Sequence, residues 1–262
     1  MKKYIPFMKQ LPLVPVIRLQ GTIGTGRGGL SDAALAPVIE KAFASKPTAV
    51  ALIINSPGGS AVQSSLIAAR IRRLADAQSV PVHAFVEDVA ASGGYWLACA
   101  GDDIWVDDSS ILGSIGVIFA SFGFPEFMAR QGIERRVVTA GASKSLADPF
   151  LPQKPDDVAR LKALQEPIHA AFIAHVKARR GARLADADLF NADVWVGAGA
   201  VDMGLADGVG HAVPKLRALY GDKVRLRPMG VRRGLLSRFG LNLADTVLGS
   251  LDDRALWARF GL

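Results

Sequence analysis

The chain has 262 residues, a formal net charge of +7 and a single cysteine. This length allows one large α/β domain or two small ones, and a hydrophobic share of 50% is enough to build a sizeable core. One cysteine excludes an intramolecular disulfide and argues against a cysteine-based metal site. We therefore expect neither a metal nor a cofactor.

The positive charge is concentrated near the C-terminal end. Residues 214–262 contain ten basic and four acidic side chains, so the rest of the chain is nearly neutral. We therefore expect no nucleic-acid partner for the main domain. No run of 18 uncharged apolar residues is present, and Pro6 and Lys9 interrupt the short apolar start. The sequence thus predicts a soluble cytoplasmic protein without a signal peptide or a transmembrane helix.

Strands and helices alternate in the first part of the chain. The predicted elements are strand 13–19, a helix from Ser31 to about residue 44, strand 48–54, a helix from Ser60 to about residue 77, and strand 80–86. The strand 48–54 is continuously apolar, which is typical of a buried parallel strand. The order predicts βαβ units and a parallel sheet.

A glycine-rich loop follows the first strand. Gly24-x-Gly26-x-x-Gly29 matches the dinucleotide-binding fingerprint. That fingerprint also requires an acidic residue at the end of the second strand, where this chain has Asn55 and Ser56. We therefore interpret the segment as a flexible loop.

The remaining elements are shorter. We predict strands 103–106 and 113–119, helix 124–131, strand 134–139 and a long helix from Pro155 to about residue 180. A segment from Val194 to Asp207 then closes the core domain.

One short stretch has the features of a catalytic turn. Ala90-x-Ser92-x-Gly94 lies between the strand 80–86 and the apolar run 96–100, and it is a nucleophile-elbow motif with alanine at its first position. The alternative is a tight turn that only small residues fit. A serine nucleophile needs a base, and no motif surrounds any of the histidines. Lys144 lies in a loop, and it could act as a base only if burial lowers its pKa.

Five ordered motifs point to one family. They are Ser56-Pro57-Gly58-Gly59, Ala90-Ala91-Ser92-Gly93-Gly94-Tyr95, Gly113-Ser114-Ile115-Gly116, Lys144-Ser145 with Asp148-Pro149-Phe150, and Trp195-x-Gly197-x-x-Ala200-x-x-x-Gly204-Leu205-x-Asp207. Together they resemble the signal peptide peptidase A (protease IV) family of serine peptidases. The resemblance runs from about Val14 to Gly210.

The resemblance implies a fold, a reaction and a site. The implied fold is the Clp-protease/crotonase type, an α/β fold of repeated ββα and βαβ units with a mostly parallel sheet. The implied reaction is cleavage of extended, largely apolar peptides by a Ser–Lys dyad. Carried over by motif, Ser92 is the nucleophile, Lys144 the general base and Ser114 the residue that holds the lysine amine. The N–H groups of Gly58, Gly59 and Gly93 are the implied oxyanion-hole donors.

The resemblance also implies a homo-oligomeric ring, in which a neighbouring subunit can supply the lysine. We divide the chain into an N-terminal extension (1–13), a peptidase domain (14–213) and a basic amphipathic C-terminal tail (214–262). The tail mixes arginine with leucine and phenylalanine over residues 231–241 and 251–262. Such a segment can lie on anionic lipid as a peripheral membrane contact, pack on a neighbouring subunit, or dock in a peptide cleft.

Two other functions remain open. The first is a crotonase-type acyl-CoA enzyme, for which Glu87 and Asp88 are the nearby carboxylates. The second is a non-catalytic scaffold that binds peptides or supports assembly.

Overall fold

The structure, a computed structural model, describes residues 11–26, 28–141, 143–230 and 256–262. The chain divides into two units. One comprises Met1–Ile115 with Ala174–Leu262, and the other comprises Gly116–Ile173. We call them the sheet unit and the insert unit.

Eight strands of the described residues form one sheet in the sheet unit. They are β1 (Leu13–Gln20), β2 (Val50–Ser56), β3 (Val82–Ala91), β4 (Asp103–Val106), β5 (Ile111–Gly113), β6 (Val194–Val196), β7 (Gly208–Val209) and β8 (Arg225–Met229). The strand order is β6-β5-β3-β2-β1-β8, with β4 beside β3 and β7 beside β4. All pairs are parallel except β5 with β6. The mostly parallel α/β architecture predicted from the sequence is confirmed.

Seven α-helices have these bounds: α1 (Asp32–Ala44), α2 (Ala61–Gln78), α3 (Gly93–Ala98), α4 (Pro125–Arg130), α5 (Pro155–Arg180), α6 (Ala198–Asp202) and α7 (Ala212–Tyr220), all counted within the described residues. A 3₁₀ turn, Gly181–Arg183, follows α5. Local signals set several of these ends. Ser31 and Ser60 cap α1 and α2, since their hydroxyls accept hydrogen bonds from Ala34 N–H and Gln63 N–H.

The core lies along the central strands. Every residue of β2 is buried, because β1 and β3 flank the strand and helices cover it: Ala51 and Ile53 pack with Leu216 of α7, and α3 also contacts the strand. Strand β3 is longer than predicted, since it serves two partners in succession. Its first half pairs with β4 and its second half with β5. The second half carries the chain to the turn at Ser92.

Two predicted strands differ in the structure. Strand 113–119 was expected, but β5 ends at Gly113 because Ser114 has a φ of 51°, outside the β region. The expected strand 134–139 is absent from the described residues. Its residues lie exposed in irregular structure, with no neighbouring strand to complete their backbone hydrogen bonds.

The C-terminal part contributes to the sheet beyond the predicted start of the tail at residue 214. Helix α7 buries Leu216, and β8 pairs with β1 in parallel and buries Met229. The predicted amphipathic tail segment 231–241, most of the N-terminal extension and residues 251–255 lie outside the described residues. No helix of the described residues is long and apolar enough to cross a bilayer.

Candidate active site

Ser92 occupies a strained turn between β3 and α3. Its backbone has φ 52° and ψ −123°, which a residue with a side chain rarely adopts. Its N–H donates a 2.8 Å hydrogen bond to the carbonyl of Gly113 at the end of β5. The half-buried side chain does not cap α3. Strain of this kind is maintained at functional sites by the surrounding structure, and here it orients a serine hydroxyl at the end of a strand.

Small residues bring a second loop against this turn. A Cβ on Gly58 would lie 2.8 Å from both the Ser92 Cβ and the Ala91 carbonyl oxygen. A Cβ on Gly94 would collide with the Ser56 carbonyl oxygen. The residues after β2 and those after β3 therefore pack backbone to backbone, which explains why glycines occupy these positions.

The three glycines expected to donate to an oxyanion differ in their N–H groups. The Gly58 N–H donates to Ser56 Oγ at 3.2 Å. Within the described residues, the N–H groups of Gly59 and Gly93 donate to no protein atom. The Gly59 nitrogen lies 3.4 Å from the point that a Cβ on Gly93 would occupy. Two backbone donors without an acceptor among the described residues therefore lie beside Ser92.

Ser114 is joined to the same site through its neighbour Gly113, whose carbonyl binds Ser92. Ser114 is buried and has a φ of 51°, and its N–H donates a 2.7 Å hydrogen bond to the Asp193 carbonyl. Ser92, Ser114 and the loop around Gly58 thus lie in one region of the sheet unit.

Helix α3 is buried along its whole length. The Tyr95 hydroxyl donates to the Leu205 carbonyl at 2.9 Å, and burial raises the pKa of Tyr95 well above its usual value. His175 stacks on Trp96 with ring centroids 4.9 Å apart, and burial lowers the pKa of His175. Burial also raises the pKa of the Cys99 thiol to about 12. Because the thiolate is the reactive form, Cys99 is an inert core residue.

Lys144 lies in the insert unit. Its backbone N–H donates to the Gly141 carbonyl at 3.2 Å, and its side chain is exposed. A cavity of about 540 Å³ lies in the same unit and is lined by Phe119, Phe122, Phe127 and the lysine's neighbour Ser145, among others.

The two carboxylates before the turn have structural partners. Glu87 forms a two-pronged ion pair with Arg18, at 2.6 and 2.8 Å. Asp88 accepts a hydrogen bond from the Asn55 side chain, where the register between β2 and β3 shifts. These contacts explain both residues without a catalytic role.

Sequence reasoning missed Ser64. Its side chain is fully buried in α2, donates to the Ser60 carbonyl at 2.9 Å, and lies where a Cβ on Gly93 would go. The signal that could have found Ser64 is its position in the first turns of α2, four residues after the capping Ser60. Ser60 ends the loop that packs against the turn at Ser92.

A family comparison decides the classification. The model of peptidase family S49 matches residues 75–219, more than half of the chain. The chain belongs to peptidase family S49. The match covers Ser92, Ser114 and Lys144, and it confirms the resemblance seen in the sequence motifs.

Individual relatives are matched over part of their length. The chain is 50% identical to a Brucella melitensis protein named Na(+)/H(+) antiporter NhaA, over 95% of this chain and 37% of that protein. It is 29% identical to the chloroplastic serine protease SPPA of Arabidopsis thaliana, over 90% of this chain and 36% of that protein. The chain therefore spans little more than a third of either relative.

Two solved protease structures share the fold. The 1510-N membrane-bound stomatin-specific protease, as a serine-to-alanine mutant, superposes with a TM-score of 0.53 at 15% identity, over 85% of this chain and 99% of that one. A lysine-to-alanine mutant of that protease in complex with a substrate peptide gives 0.54 at 14% identity, over 93% and 99%. The predicted Clp-protease/crotonase-like fold is confirmed.

Proposed function

We propose that this chain is a serine endopeptidase that uses a Ser–Lys dyad, with Ser92 as nucleophile and Lys144 as general base. The observation that carries the proposal is the strained turn at Ser92 beside the N–H groups of Gly59 and Gly93, which have no acceptor among the described residues. A nucleophile next to available backbone donors is the arrangement that acyl transfer requires. The serine and the lysine replaced in the two similar solved structures support the choice of residue types.

Each residue has a defined step in this mechanism. Neutral Lys144 accepts the hydroxyl proton of Ser92 while Oγ attacks the peptide carbonyl carbon. The resulting oxyanion accepts hydrogen bonds from Gly59 and Gly93, while Gly58 supports the loop through its bond to Ser56. Lys144 then returns the proton to the leaving amine, and water hydrolyses the acyl-enzyme by the same route.

Lys144 must lose its contact with water to act as a base. A solvated lysine is protonated at neutral pH, whereas burial away from other cations favours the neutral amine. Lys144 is exposed in the isolated chain. We therefore propose that a neighbouring copy in a homo-oligomeric ring, together with the bound peptide, covers the lysine. Ser114 would hold the amine by a hydrogen bond.

The proposed substrates are extended, largely apolar peptides. Within the insert unit, the exposed side chains of Phe119, Phe122 and Phe127 support this preference, since their rings offer contact area to apolar side chains. The substrate peptide in the complex of the stomatin-specific protease supports a peptide ligand of the same general kind.

The test is hydrolysis of a quenched apolar peptide and of denatured casein. We would compare wild type with Ser92→Ala and Lys144→Ala, and use Ser109→Ala and Lys162→Ala as exposed controls of the same residue types. Circular dichroism and light scattering would verify folding and assembly state.

We expect both site variants to lose at least about 1,000-fold in kcat while remaining folded, and both controls to retain activity. An active Ser92→Ala protein would overturn the nucleophile assignment. A folded monomeric variant with full activity would overturn the shared-site assembly. If folded wild type cleaves neither substrate, the peptidase proposal fails and a peptide-binding scaffold takes its place.

A further inference from the structure

The late motif that begins at Trp195 has no role in the mechanism described so far. Trp195 lies in β6, the strand that pairs with β5 in antiparallel fashion. Its indole covers Gly113 so closely that a Cβ on that glycine would lie 2.8 Å from Cε3 of the ring and 2.9 Å from Cζ3. The ring therefore limits the movement of the Gly113 backbone from that side.

Gly113 is the residue that holds the nucleophile. Its carbonyl accepts the 2.8 Å hydrogen bond from the Ser92 N–H. Two residues before Trp195, the Asp193 carbonyl accepts the 2.7 Å hydrogen bond from the Ser114 N–H. The same short segment thus contacts the backbone supports of both serines.

The strain at these serines makes such a support necessary. Ser92 and Ser114 both have a positive φ, and such conformations persist only where the surrounding structure over-determines them. Gly113 lies between the two, with a φ of 109°, and lacks a side chain of its own to restrain it. A rigid ring packed on it supplies that restraint.

We propose that Trp195 is a positioning residue for Ser92 and Ser114, acting through Gly113. This inference rests on the peptidase function proposed above. When a smaller ring replaces the indole, the Gly113 carbonyl can move more freely. Ser92 then leaves its reactive geometry for part of the time, and the chemical step slows. Substrate binding is unaffected, because Trp195 acts through the backbone of β5.

Trp105 provides a matched control. It lies in β4, another short strand of the same sheet, and it also covers a glycine, since a Cβ on Gly208 would lie 2.6 Å from its Cζ3. Gly208 lies in β7 and pairs there with Trp105 of β4, away from Ser92. A tryptophan-to-phenylalanine change at either position removes similar packing, but only Trp195 is linked to the nucleophile.

The experiment compares Trp195→Phe, Trp195→Tyr and Trp105→Phe with wild type. The rate of labelling by a fluorophosphonate reports the reactivity of Ser92. In that reaction Ser92 Oγ bonds to phosphorus, fluoride leaves, and the base takes the hydroxyl proton. Steady-state cleavage of the apolar peptide separates kcat from KM. All rates are measured at a temperature where melting curves show each variant folded.

We expect both Trp195 variants to lose about tenfold in labelling rate and in kcat, with KM within about twofold of wild type. Trp105→Phe should stay within about twofold in all three quantities. Equal labelling rates for Trp195→Phe and Trp105→Phe would overturn the inference, as would a rise in KM at unchanged kcat. If Trp195→Phe does not fold, Trp195→Tyr decides by the same criteria. Labelling that persists in Ser92→Ala would instead overturn the proposed function itself.

Discussion

Ser92 and Gly197 have nearly the same backbone conformation, with φ/ψ of 52°/−123° and 47°/−118°. Each follows a strand of the sheet and precedes a short helix, α3 or α6. The fold therefore builds the same strained turn twice. Only the first turn carries a hydroxyl, because a Cβ on Gly197 would collide with the Asp108 carbonyl oxygen. The arrangement of neighbouring backbone thus allows a side chain at only one of the two turns.

The turn at Gly197 predicts that alanine at Gly197 and alanine at Gly199 have very different effects on stability. Gly197→Ala should lower the free energy of unfolding by about 3 kcal/mol, because the added Cβ displaces the backbone at Asp108. Gly199→Ala in the same helix has open space around the added methyl group and should change stability by less than about 1 kcal/mol. Urea unfolding monitored by fluorescence measures both. Similar losses in the two variants would contradict this account.

A double-mutant cycle tests the packing between Gly93 and Ser64. Gly93→Ala should reduce stability because its Cβ meets the Ser64 hydroxyl and approaches Ile23 Cδ1 to 3.1 Å. Ser64→Ala removes the hydroxyl and should relieve part of that clash. We expect a coupling free energy of about 1–2 kcal/mol in the cycle, measured by denaturant unfolding. Additive effects would show that the two residues do not meet.

His175 should make folding sensitive to mild acid. Burial lowers its pKa below the ordinary value of 6.5, although the hydrogen bond with the Trp96 carbonyl opposes the shift. The unfolded chain then binds the proton more readily than the folded one. The contribution of the neutral ring is therefore full above about pH 6.5 and is lost as pH falls toward the folded pKa. Unfolding curves from pH 7.5 to 5 should show this loss in wild type and a smaller one in His175→Gln. If the free energy of unfolding depended on pH equally in the two proteins, His175 would not be the group responsible.

The Asp207 carboxylate should contribute strongly to the free energy of unfolding at pH values above its pKa. Its carboxylate binds the guanidinium of Arg180, whose side chain is only 2% exposed, at 2.7 Å. Burial by itself would raise the pKa of Asp207, but the bonds from Arg180 and the Ile104 N–H outweigh it, and the pKa is lowered. Asp207→Asn leaves a buried charge uncompensated, so we expect a loss of about 3 kcal/mol at pH 7.

The pH dependence and a surface pair provide the checks on this prediction. The difference between wild type and Asp207→Asn should shrink as pH falls below about 4, because the carboxyl group of the unfolded chain then takes up a proton first and the native one follows at its lower pKa. Asp76→Asn removes an exposed ion pair with Arg72 within α2 and should cost less than about 1 kcal/mol. Thermal or urea unfolding at pH 7 and pH 3 distinguishes the cases. A pH-independent difference would disprove the charged-pair explanation.

Much of the fold follows from local sequence signals. Ser31 and Ser60 cap the helices that they were predicted to begin, and the apolar run within β2 is the buried central strand that its composition indicates. The turn at Ser92 was also identified locally, because small residues between a strand and an apolar helix leave few other conformations. Each of these signals is complete within about ten residues of chain, so the sequence by itself determined these elements and the class of chemistry they suggest.

Other features depend on contacts between residues far apart in the chain, and only the tertiary structure decided them. Strand β8 joins the sheet beside β1 although the sequence pattern there was interpreted as a tail. The Ser56 hydroxyl accepts the hydrogen bond of the Gly58 N–H, whereas the N–H groups of Gly59 and Gly93 have no acceptor among the described residues. Trp195 packs on Gly113 because β5 and β6 pair in antiparallel fashion. Pairing register and close packing are properties of surfaces that meet only after folding, and no local pattern specifies which surfaces those are.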